Sequence, residues 1–408
     1  MVNKSTLDSG LRVITEHIDS VRSLSVGIWV KTGSRHETDR QAGITHFLEH
    51  MLFKGTQKRS AYDIAFSMES VGGYLNAFTS SEYTCYYTRC LDTELERALD
   101  VLSDMVLSAS LPEKEIEKEK KVVVEEMKMY RDSPDDYVFE EFTGMIFAKH
   151  PLGRPIIDYE NTVNSFTQDD LRQFMNERYQ PDNIIVAVAG NAGHEDVLKL
   201  AENYFNVGGE KTQELASLPL SSYTRQRKEI KKPIEQTHFV VGRRSLSADH
   251  EDRFKLLLAN TVLGSGMSSR LHQNIREKYG YCYSIQSFNQ SFYDTGMFGV
   301  YTGTDQNYVD HVKELIFNEF TRLKNERIPE NDLDQARTQL KGKLLLAQEN
   351  MSSRMTRLAK SELYYDRYIT LDELVEQIDA VSPDEIRKFA AYFFDEEQFS
   401  ETVLLPEK

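Results

Sequence analysis

Residues 111–121 read LPEKEIEKEKK and residues 328–338 read IPENDLDQART, so one pattern occurs twice, 217 positions apart (328 − 111). Proline, glutamate and the spacing of the apolar residues are retained in both copies. Three further pairs occur in the same order: TQDDLRQF with SPDEIRKF, CYYT with GVYT, and WVKTGS with HFVVGRRS. Ordered matches at a nearly constant offset indicate an internal duplication. We therefore predict two copies of one fold.

The stretch between the two copies differs in composition from its surroundings. Residues 207–232, VGGEKTQELASLPLSSYTRQRKEIKK, lose apolar periodicity and concentrate Gly, Ser, Pro and charged residues. Such a composition is typical of an interdomain linker. We predict a first domain over residues 1–207, a linker over 208–232 and a homologous second domain over 233–408.

Each copy begins with strand-like runs, and helix-like stretches follow. The runs LRVITEH (11–17) and SLSVGIWVKTGS (23–34) in the first copy and THFVVGRRS (237–245) in the second alternate apolar with polar residues. Residues 92–108 and 112–130 show apolar residues at helical spacing. Strands and helices alternate without a phosphate-binding glycine loop. We therefore predict an α+β fold of two homologous domains, each a mainly antiparallel sheet backed by helices on one face.

Composition limits the functions open to the chain. Its 408 residues include 49 Lys and Arg against 65 Asp and Glu, for a net charge of −16. This charge argues against a nucleic-acid partner, because a phosphate backbone attracts cationic surfaces, and it favours cationic partners. No apolar run approaches the ~18 residues of a membrane span, so we expect no membrane partner.

The cysteines and the N-terminal stretch bear on the compartment. Cys85, Cys90 and Cys282 are an odd number without zinc-ligand spacing, which is typical of a reducing compartment. Residues 1–17, MVNKSTLDSGLRVITEH, lack the apolar segment and small-residue cleavage site of a secretory signal. We expect a cytoplasmic protein.

Residues 46–50, HFLEH, carry the chemistry that the sequence suggests. His46 and His50 are four apart, so on a helix they project from one face about one turn (~5.4 Å) apart and can both donate a ring nitrogen to one zinc ion. Glu49 flanks the same face and can take a proton from a water on that metal. The alternative is an amphipathic helix with incidental histidines.

A zinc hydrolase needs a further protein ligand, usually Glu or His from another element. The predicted helix at 112–130 offers Glu119, Glu125 and Glu126. Glu119 and Glu126 are seven residues apart, hence nearly on one face, and either could reach a metal.

The motif HFLEH, followed by a glutamate 76 residues beyond its second histidine (126 − 50) in EKEKKVVVEEM, resembles the pitrilysin/insulinase family of inverted zinc peptidases. The chain is similar to the short two-domain branch, which includes the mitochondrial processing peptidase β subunit and bacterial processing-protease-like proteins. The resemblance spans essentially the whole chain. It implies one zinc per chain held by His46, His50 and Glu126, with Glu49 as general base and Glu119 as a supporting carboxylate behind the ligands.

The segment GGYLNAFTSSEYTCYY, residues 72–87, resembles the family's edge strand, which pairs with the substrate backbone. The resemblance implies that Asn76, Ala77, Phe78 and Thr79 bind substrate. An unpaired strand edge accepts an extended peptide through main-chain hydrogen bonds without demanding a particular sequence.

A further matching segment, SSRLHQNIREKYGYCYS, spans residues 268–284 in the second half. It places Arg276 and Tyr283 at the positions of the family's Arg/Tyr pair, which implies catalytic roles for both. The Tyr283 phenol would donate a hydrogen bond to the oxyanion, and the Arg276 guanidinium would hold a substrate carbonyl. The chain departs from the family at Tyr281 and Cys282, where Leu and Ala are common.

The second copy lacks the metal ligands of the first. Lys343 stands where the first copy has Glu126, and Thr261 lies near the position of His46. Longer family members enclose a chamber with four such domains. The resemblance therefore implies a homodimer in which the Arg/Tyr pair of one chain faces the zinc of its partner.

These inferences predict a zinc metalloendopeptidase for short or unfolded peptides, with basic ones favoured by the negative charge of the chain. One alternative is a non-catalytic peptide-binding or assembly subunit that keeps the family fold. The complete set of His46, Glu49, His50 and Glu126 argues against it, because drift would erode at least one of them. A purely structural metal site is the other alternative, and Glu49 would serve no purpose there.

Overall fold

The computed structural model describes residues 2–157, 159–205, 212 and 219–407. The chain forms two compact units, each built from three stretches of sequence. The first unit comprises Met1–Lys128, Arg154–Leu218 and Ala347–Tyr368. The second unit comprises Met129–Gly153, Pro219–Leu346 and Ile369–Lys408.

Eleven strands lie within the described residues. In chain order they are β1 Val2–Thr6, β2 Arg12–His17, β3 Ser23–Val30, β4 Tyr74–Thr79, β5 Thr84–Leu91, β6 Ile184–Gly190, β7 Arg227–Lys232, β8 Thr237–Ser245, β9 Cys282–Ser291, β10 Gly296–Thr304 and β11 Ser400–Pro406. The strand-like runs of the sequence correspond to β2, β3 and β8.

The same residues form fourteen α-helices and a π-helical segment, His272–Glu277. The α-helices are α1 Ile44–Met51, α2 Ala61–Glu69, α3 Leu95–Ser108, α4 Glu113–Asp132, α5 Pro134–Ile146, α6 Glu160–Ser165, α7 Gln168–Arg178, α8 His194–Phe205, α9 Arg253–Gly264, α10 Val309–Asn325, α11 Glu330–Leu346, α12 Met351–Tyr365, α13 Leu371–Ala380 and α14 Pro383–Phe393. None of these described helices has the length and apolar character needed to cross a membrane.

The two sheets share one topology, which confirms the predicted duplication. The first sheet has the order β1-β2-β6-β3-β5-β4 and the second has the order β7-β11-β8-β10-β9. Apart from β1, each strand of the first sheet has an equivalent in the second. The only parallel pairs of the described sheets, β2 with β6 and β7 with β11, occupy equivalent places. All other pairs are antiparallel, as predicted.

The repeated helix starts have a local cause. Thr167 caps α7 by accepting from the Asp170 amide, and Ser382 caps α14 by accepting from the Glu385 amide. Each acidic side chain reaches back to the amide of its cap, which completes a capping box. The matched motifs TQDDLRQF and SPDEIRKF therefore encode the same helix start in both units.

The expectation of helices on only one face of each sheet is wrong. Alternate residues of the central strands of the first sheet face two different cores: Val26 and Ile28 pack with α1, α3 and α8, whereas Trp29 packs with Met355 and Leu358 of α12. In the second unit, α5 covers one face of the sheet, and α9, α10 and α14 cover the other. Fully buried strands need apolar cover on both sides.

The two compact units differ from the predicted continuous domains 1–207 and 233–408. The equivalent helices α5 and α12, 217 residues apart (351 − 134), each belong to the unit whose sheet lies in the opposite half of the sequence. Part of the predicted linker, residues 208–211 and 213–218, lies outside the described residues. Its last six residues are not a loop, because they form β7 beside β11.

Candidate metal centre

Helix α1 carries the HFLEH motif, and its orientation follows from its apolar residues. Ile44, Phe47, Leu48 and Met51 recur at helical spacing and are buried in the core of the first unit. Gly43, with φ 87°, begins the helix from a left-handed conformation that glycine adopts without strain. The two histidines are thereby left on the side of the helix away from the core.

A buried carboxylate holds the start of this helix. Glu37, only 4% exposed, accepts hydrogen bonds from the amides of Gly43 (2.8 Å) and Thr45 (2.9 Å). A carboxylate at a helix N-terminus satisfies otherwise unpaired amides and interacts favourably with the helix dipole. Burial is the main cause that raises the pKa of Glu37 to about 7. No sequence pattern indicates the role of Glu37, because it lies in an irregular stretch nine positions before His46.

Three side chains converge on one point beside α1. The ligand atoms of His46, His50 and Glu126 all lie within 4.8 Å of one another. Glu126 Oε2 is 3.8 Å from His46 Nε2 and 3.5 Å from His50 Nε2. Two imidazole nitrogens and one carboxylate oxygen are the donor set of a catalytic zinc site with an open position. Of the two glutamates that the spacing left open, Glu126 is the one whose carboxylate faces both histidine Nε2 atoms.

Glu119 lies behind this donor set. Its Oε1 is 2.8 Å from His50 Nδ1, and its Oε2 is 2.7 Å from Lys54 Nζ. Burial opposes ionisation of Glu119, but the hydrogen bonds from His50 and Lys54 outweigh it and lower the pKa of the carboxyl group. Glu125 points elsewhere, because its carboxylate pairs with Lys128 at 2.7 Å.

The protonation of the two imidazoles differs. Burial, with a smaller contribution from His50, lowers the pKa of His46 to about 3, so this ring is neutral at physiological pH, as a metal ligand must be. The buried His46 Nδ1 has no hydrogen-bond partner among the described residues. Burial also disfavours the charged ring of His50, but the hydrogen bond with Glu119 and the charge of Glu126 outweigh it and raise the pKa of His50.

Glu49 stands apart from the three converging side chains and has its own partner. Thr79 Oγ1 donates a hydrogen bond to Glu49 Oε2 at 2.5 Å. Burial raises the pKa of Glu49, and the hydrogen bond from Thr79 partly offsets that shift. A carboxylate with a raised pKa beside a metal site is suited to accept and release a proton.

The predicted substrate strand is β4. It forms the outer edge of the first sheet and, among the described strands, pairs only with β5. Asn76, Ala77, Phe78 and Thr79 alternate along it: Ala77 packs into the core that contains α1, whereas Phe78 packs against Trp29 on the other face. Among the described residues no strand pairs with the outer edge of β4, so this edge can accept a further strand.

Arg276 and Tyr283 lie in the second unit. Arg276, on the π-helical segment, donates from Nε to the backbone oxygen of Tyr283 at 2.8 Å, and its Nη1 pairs with Glu277. The Tyr283 side chain is 79% exposed. The backbone of Tyr283 thus holds the side chain of Arg276 in place. π-Helical segments are rare and frequently occur at functional sites.

The second unit does not repeat the donor set. Lys343, at the position equivalent to Glu126, donates to Ser265 Oγ at 3.1 Å, and Thr261 donates to the backbone oxygen of Leu257 at 2.8 Å. Among the described residues, only His46, His50 and Glu126 form a cluster that could hold a metal ion.

Comparisons with known proteins also distinguish the first half of the chain from the second. Residues 12–160 match the family model described as insulinase, peptidase family M16, and residues 165–340 match the model described as the peptidase M16 inactive domain. An uncharacterized zinc protease of Bacillus subtilis is 40% identical over 97% of both chains. The chain belongs to peptidase family M16. A second relative of this M16 chain, an uncharacterized zinc protease of Streptomyces coelicolor, is 38% identical over 95% of this chain and 86% of its own.

Two solved structures share the fold of this M16 chain. A protease from Helicobacter pylori is 23% identical with a TM-score of 0.94 over 100% of both chains. A Pseudomonas fluorescens protein described as a peptidase M16 inactive domain is 17% identical, with a TM-score of 0.93 over 100% of this chain and 98% of that one. These likenesses show the two-domain α+β fold.

Proposed function

We propose that this chain is a zinc-dependent endopeptidase that hydrolyses short or unfolded peptides. The observation that carries the proposal is the convergence of His46, His50 and Glu126 within 4.8 Å while Glu49 keeps a separate hydrogen bond to Thr79. A structural metal site needs only the ligands. A hydrolytic site needs an unligated acid–base group beside them, and Glu49 is such a group.

The donor set fits zinc. It contains one neutral, buried imidazole, a second imidazole whose ring is oriented by a carboxylate, and one carboxylate ligand. His46, His50 and Glu126 would hold one ion per chain. When bound, zinc supplies a Lewis acid that makes water a nucleophile at neutral pH. Glu49 accepts the proton of the attacking water and passes it to the leaving amine. Glu119 holds the ring of His50 in place through Nδ1.

The substrate would bind as an added strand on β4. Main-chain pairing along Asn76, Ala77, Phe78 and Thr79 selects extended peptides over folded proteins. The net charge of −16 favours basic peptides. The exposed Tyr283 phenol would donate to the oxyanion, and Arg276 would hold a substrate carbonyl.

We further propose that two copies form a homodimer in which Arg276 and Tyr283 of one chain face the metal of the other. This rests on the family resemblance, in which four domains of this kind enclose one chamber. We also propose a cytoplasmic location, which the three buried, unpaired cysteines support. Sedimentation velocity tests the assembly: a dimer is expected at assay concentrations, and a monomer with full activity would contradict it.

Mass spectrometry of peptides incubated with purified protein tests the activity. An unstructured basic peptide should be cleaved internally, a chelator should abolish cleavage, and added zinc should restore it. An acidic peptide of equal length serves as the matched control for charge preference. If zinc-loaded dimer binds the basic peptide without cleaving it, the chain is a binding subunit instead.

A further inference from the structure

The hydroxyl of Thr79 is the only group among the described residues that donates a hydrogen bond to the Glu49 carboxylate. We infer that the Thr79 side chain is a positioning residue for Glu49: it fixes the orientation in which the carboxylate meets the attacking water. This inference rests on the proposed function, because it assigns Thr79 a part in that reaction beyond strand pairing.

The register of β4 aims this hydroxyl at α1. Thr79 is the last residue of the strand and pairs with Thr84 of β5. Side chains alternate along a strand, so Thr79 shares its face with Leu75 and Ala77, which pack into the core that contains α1. Phe78 points the opposite way, toward Trp29. A shift of β4 by one residue would turn the hydroxyl away from Glu49.

The hydrogen bond occupies one carboxylate oxygen and leaves the other for chemistry. Thr79 Oγ1 lies 2.5 Å from Glu49 Oε2, within the range of a short charge-assisted bond. A glutamate side chain has several free torsions, and general-base catalysis requires the accepting oxygen to stay within hydrogen-bond reach of the water. Anchoring Oε2 restricts the rotation of the carboxylate and so holds Oε1 in a defined place.

This contact also joins the base to the element that would bind the substrate. Thr79 offers its backbone to the free edge of the sheet and its side chain to Glu49. A peptide added to β4 would therefore pair with the same strand that holds the base. The positions of the bound peptide and of the Glu49 carboxylate then depend on one strand. The distance between them therefore varies less.

Two variants at Thr79 and one control separate this role from a structural one. Thr79→Val keeps the shape but removes the donor, and Thr79→Ser keeps the donor. Thr84→Val is the matched control, because Thr84 lies opposite on β5 and its hydroxyl donates to the backbone oxygen of Thr32 instead. We expect Thr79→Val to lower kcat by about tenfold or more, with unchanged KM, zinc affinity and melting temperature. Thr84→Val should retain wild-type kcat, and Thr79→Ser should recover most of the kcat that Thr79→Val loses.

Crystal structures of the zinc-loaded wild type and Thr79→Val proteins give a readout that does not depend on turnover. The wild type should show a single Glu49 orientation against Thr79, and the variant should show a displaced or multiply oriented carboxylate. An unchanged Glu49 in the variant, or a kcat equal to that of the wild type, would overturn the inference. A wild-type protein that cleaves nothing would refute the proposed function instead, whatever the crystals show of Glu49.

Discussion

Glu119 Oε1 lies 2.8 Å from His50 Nδ1, so the carboxylate fixes which ring nitrogen of His50 carries the proton. With Nδ1–H donating to Glu119, the lone pair of Nε2 is directed toward the side where Glu126 lies, 3.5 Å away. Lys54 engages the other oxygen of Glu119 at 2.7 Å. The orientation of one proposed metal ligand is therefore set by a pair of residues that never touch the metal.

Replacing Glu119 should weaken metal binding without removing a ligand. Glu119→Gln keeps the size of the side chain but loses the charge that orients His50, and we expect about 10- to 100-fold lower zinc affinity. Competition against a chromophoric chelator measures it. Glu125→Gln, on the same helix but paired with Lys128, is the matched control and should bind zinc like the wild type. Equal affinity for both variants would show that Glu119 does not support the site.

Spacing and resemblance predicted the cluster of His46, His50 and Glu126 with Glu119 behind it, but not the other contacts around it. His46 and His50 follow from helical geometry alone, whereas the choice of Glu126 over Glu119 needed the family resemblance. Glu37 and Lys54 were missed because both lie outside regular helices. Nothing in a linear pattern shows that Glu37 reaches the first turn of α1, since that contact depends on how the preceding loop folds back.

Some features of the fold could likewise be predicted from the sequence, and others could not. Local signals such as the helical spacing over residues 92–108 and the alternation in β3 identify elements correctly. The compact unit to which α5 or α12 belongs could not be predicted, because an amphipathic helix is equally suited to any apolar sheet face. The completely buried strand β6, IIVAVAG, needs apolar cover on both sides, which the prediction of helices on one face did not provide.

Removing a buried side chain of α12 should destabilise the first unit. Met355 is buried in the core of that unit, and its Sδ accepts a hydrogen bond from Trp29 Nε1 at 3.0 Å. We expect Met355→Ala to lower the free energy of unfolding by about 2–5 kcal/mol. Trp29 is the only tryptophan of the chain, so its fluorescence during urea unfolding reports on this unit.

The control for that experiment is Met267→Ala, which removes a methionine that is 76% exposed. Its effect should stay within about 0.5 kcal/mol. If Met355→Ala unfolds at the same urea concentration as the wild type, α12 does not stabilise the first sheet in solution.

Glu37 should make the stability of the first unit depend on pH. Its pKa is about 7 in the folded chain against an ordinary value of 4.5, mainly because it is buried. Between these values the folded state keeps a proton that the unfolded state has released, so this group's contribution to stability is greatest below about pH 4.5 and falls as the pH rises through 7. The decline amounts to roughly 3 kcal/mol at most.

Urea unfolding of the wild type and Glu37→Gln at several pH values isolates this contribution, with Trp29 fluorescence as the readout. The difference in stability, wild type minus variant, should decrease between pH 4.5 and 7 and level off above. A difference that stays constant over this range would mean that Glu37 does not titrate there.

Tyr283 should contribute to the rate and not to metal binding. Tyr283→Phe removes only the hydroxyl of an exposed side chain, and loss of an oxyanion donor lowers kcat by about a hundredfold. Zinc content and sedimentation should be unchanged. Tyr62→Phe, an equally conservative change at an exposed tyrosine of α2, should leave peptide cleavage intact. Wild-type kcat in Tyr283→Phe would remove Tyr283 from the mechanism.

The role of Glu49 is tested by Glu49→Gln, assayed together for zinc content and peptide cleavage. In the proposed mechanism Glu49 is the base but not a metal ligand. The purified variant should therefore hold one zinc per chain by elemental analysis and cleave an unstructured basic peptide at least about a hundredfold more slowly than the wild type. A zinc-loaded Glu49→Gln protein that cleaves at the wild-type rate would show that Glu49 does not move the proton.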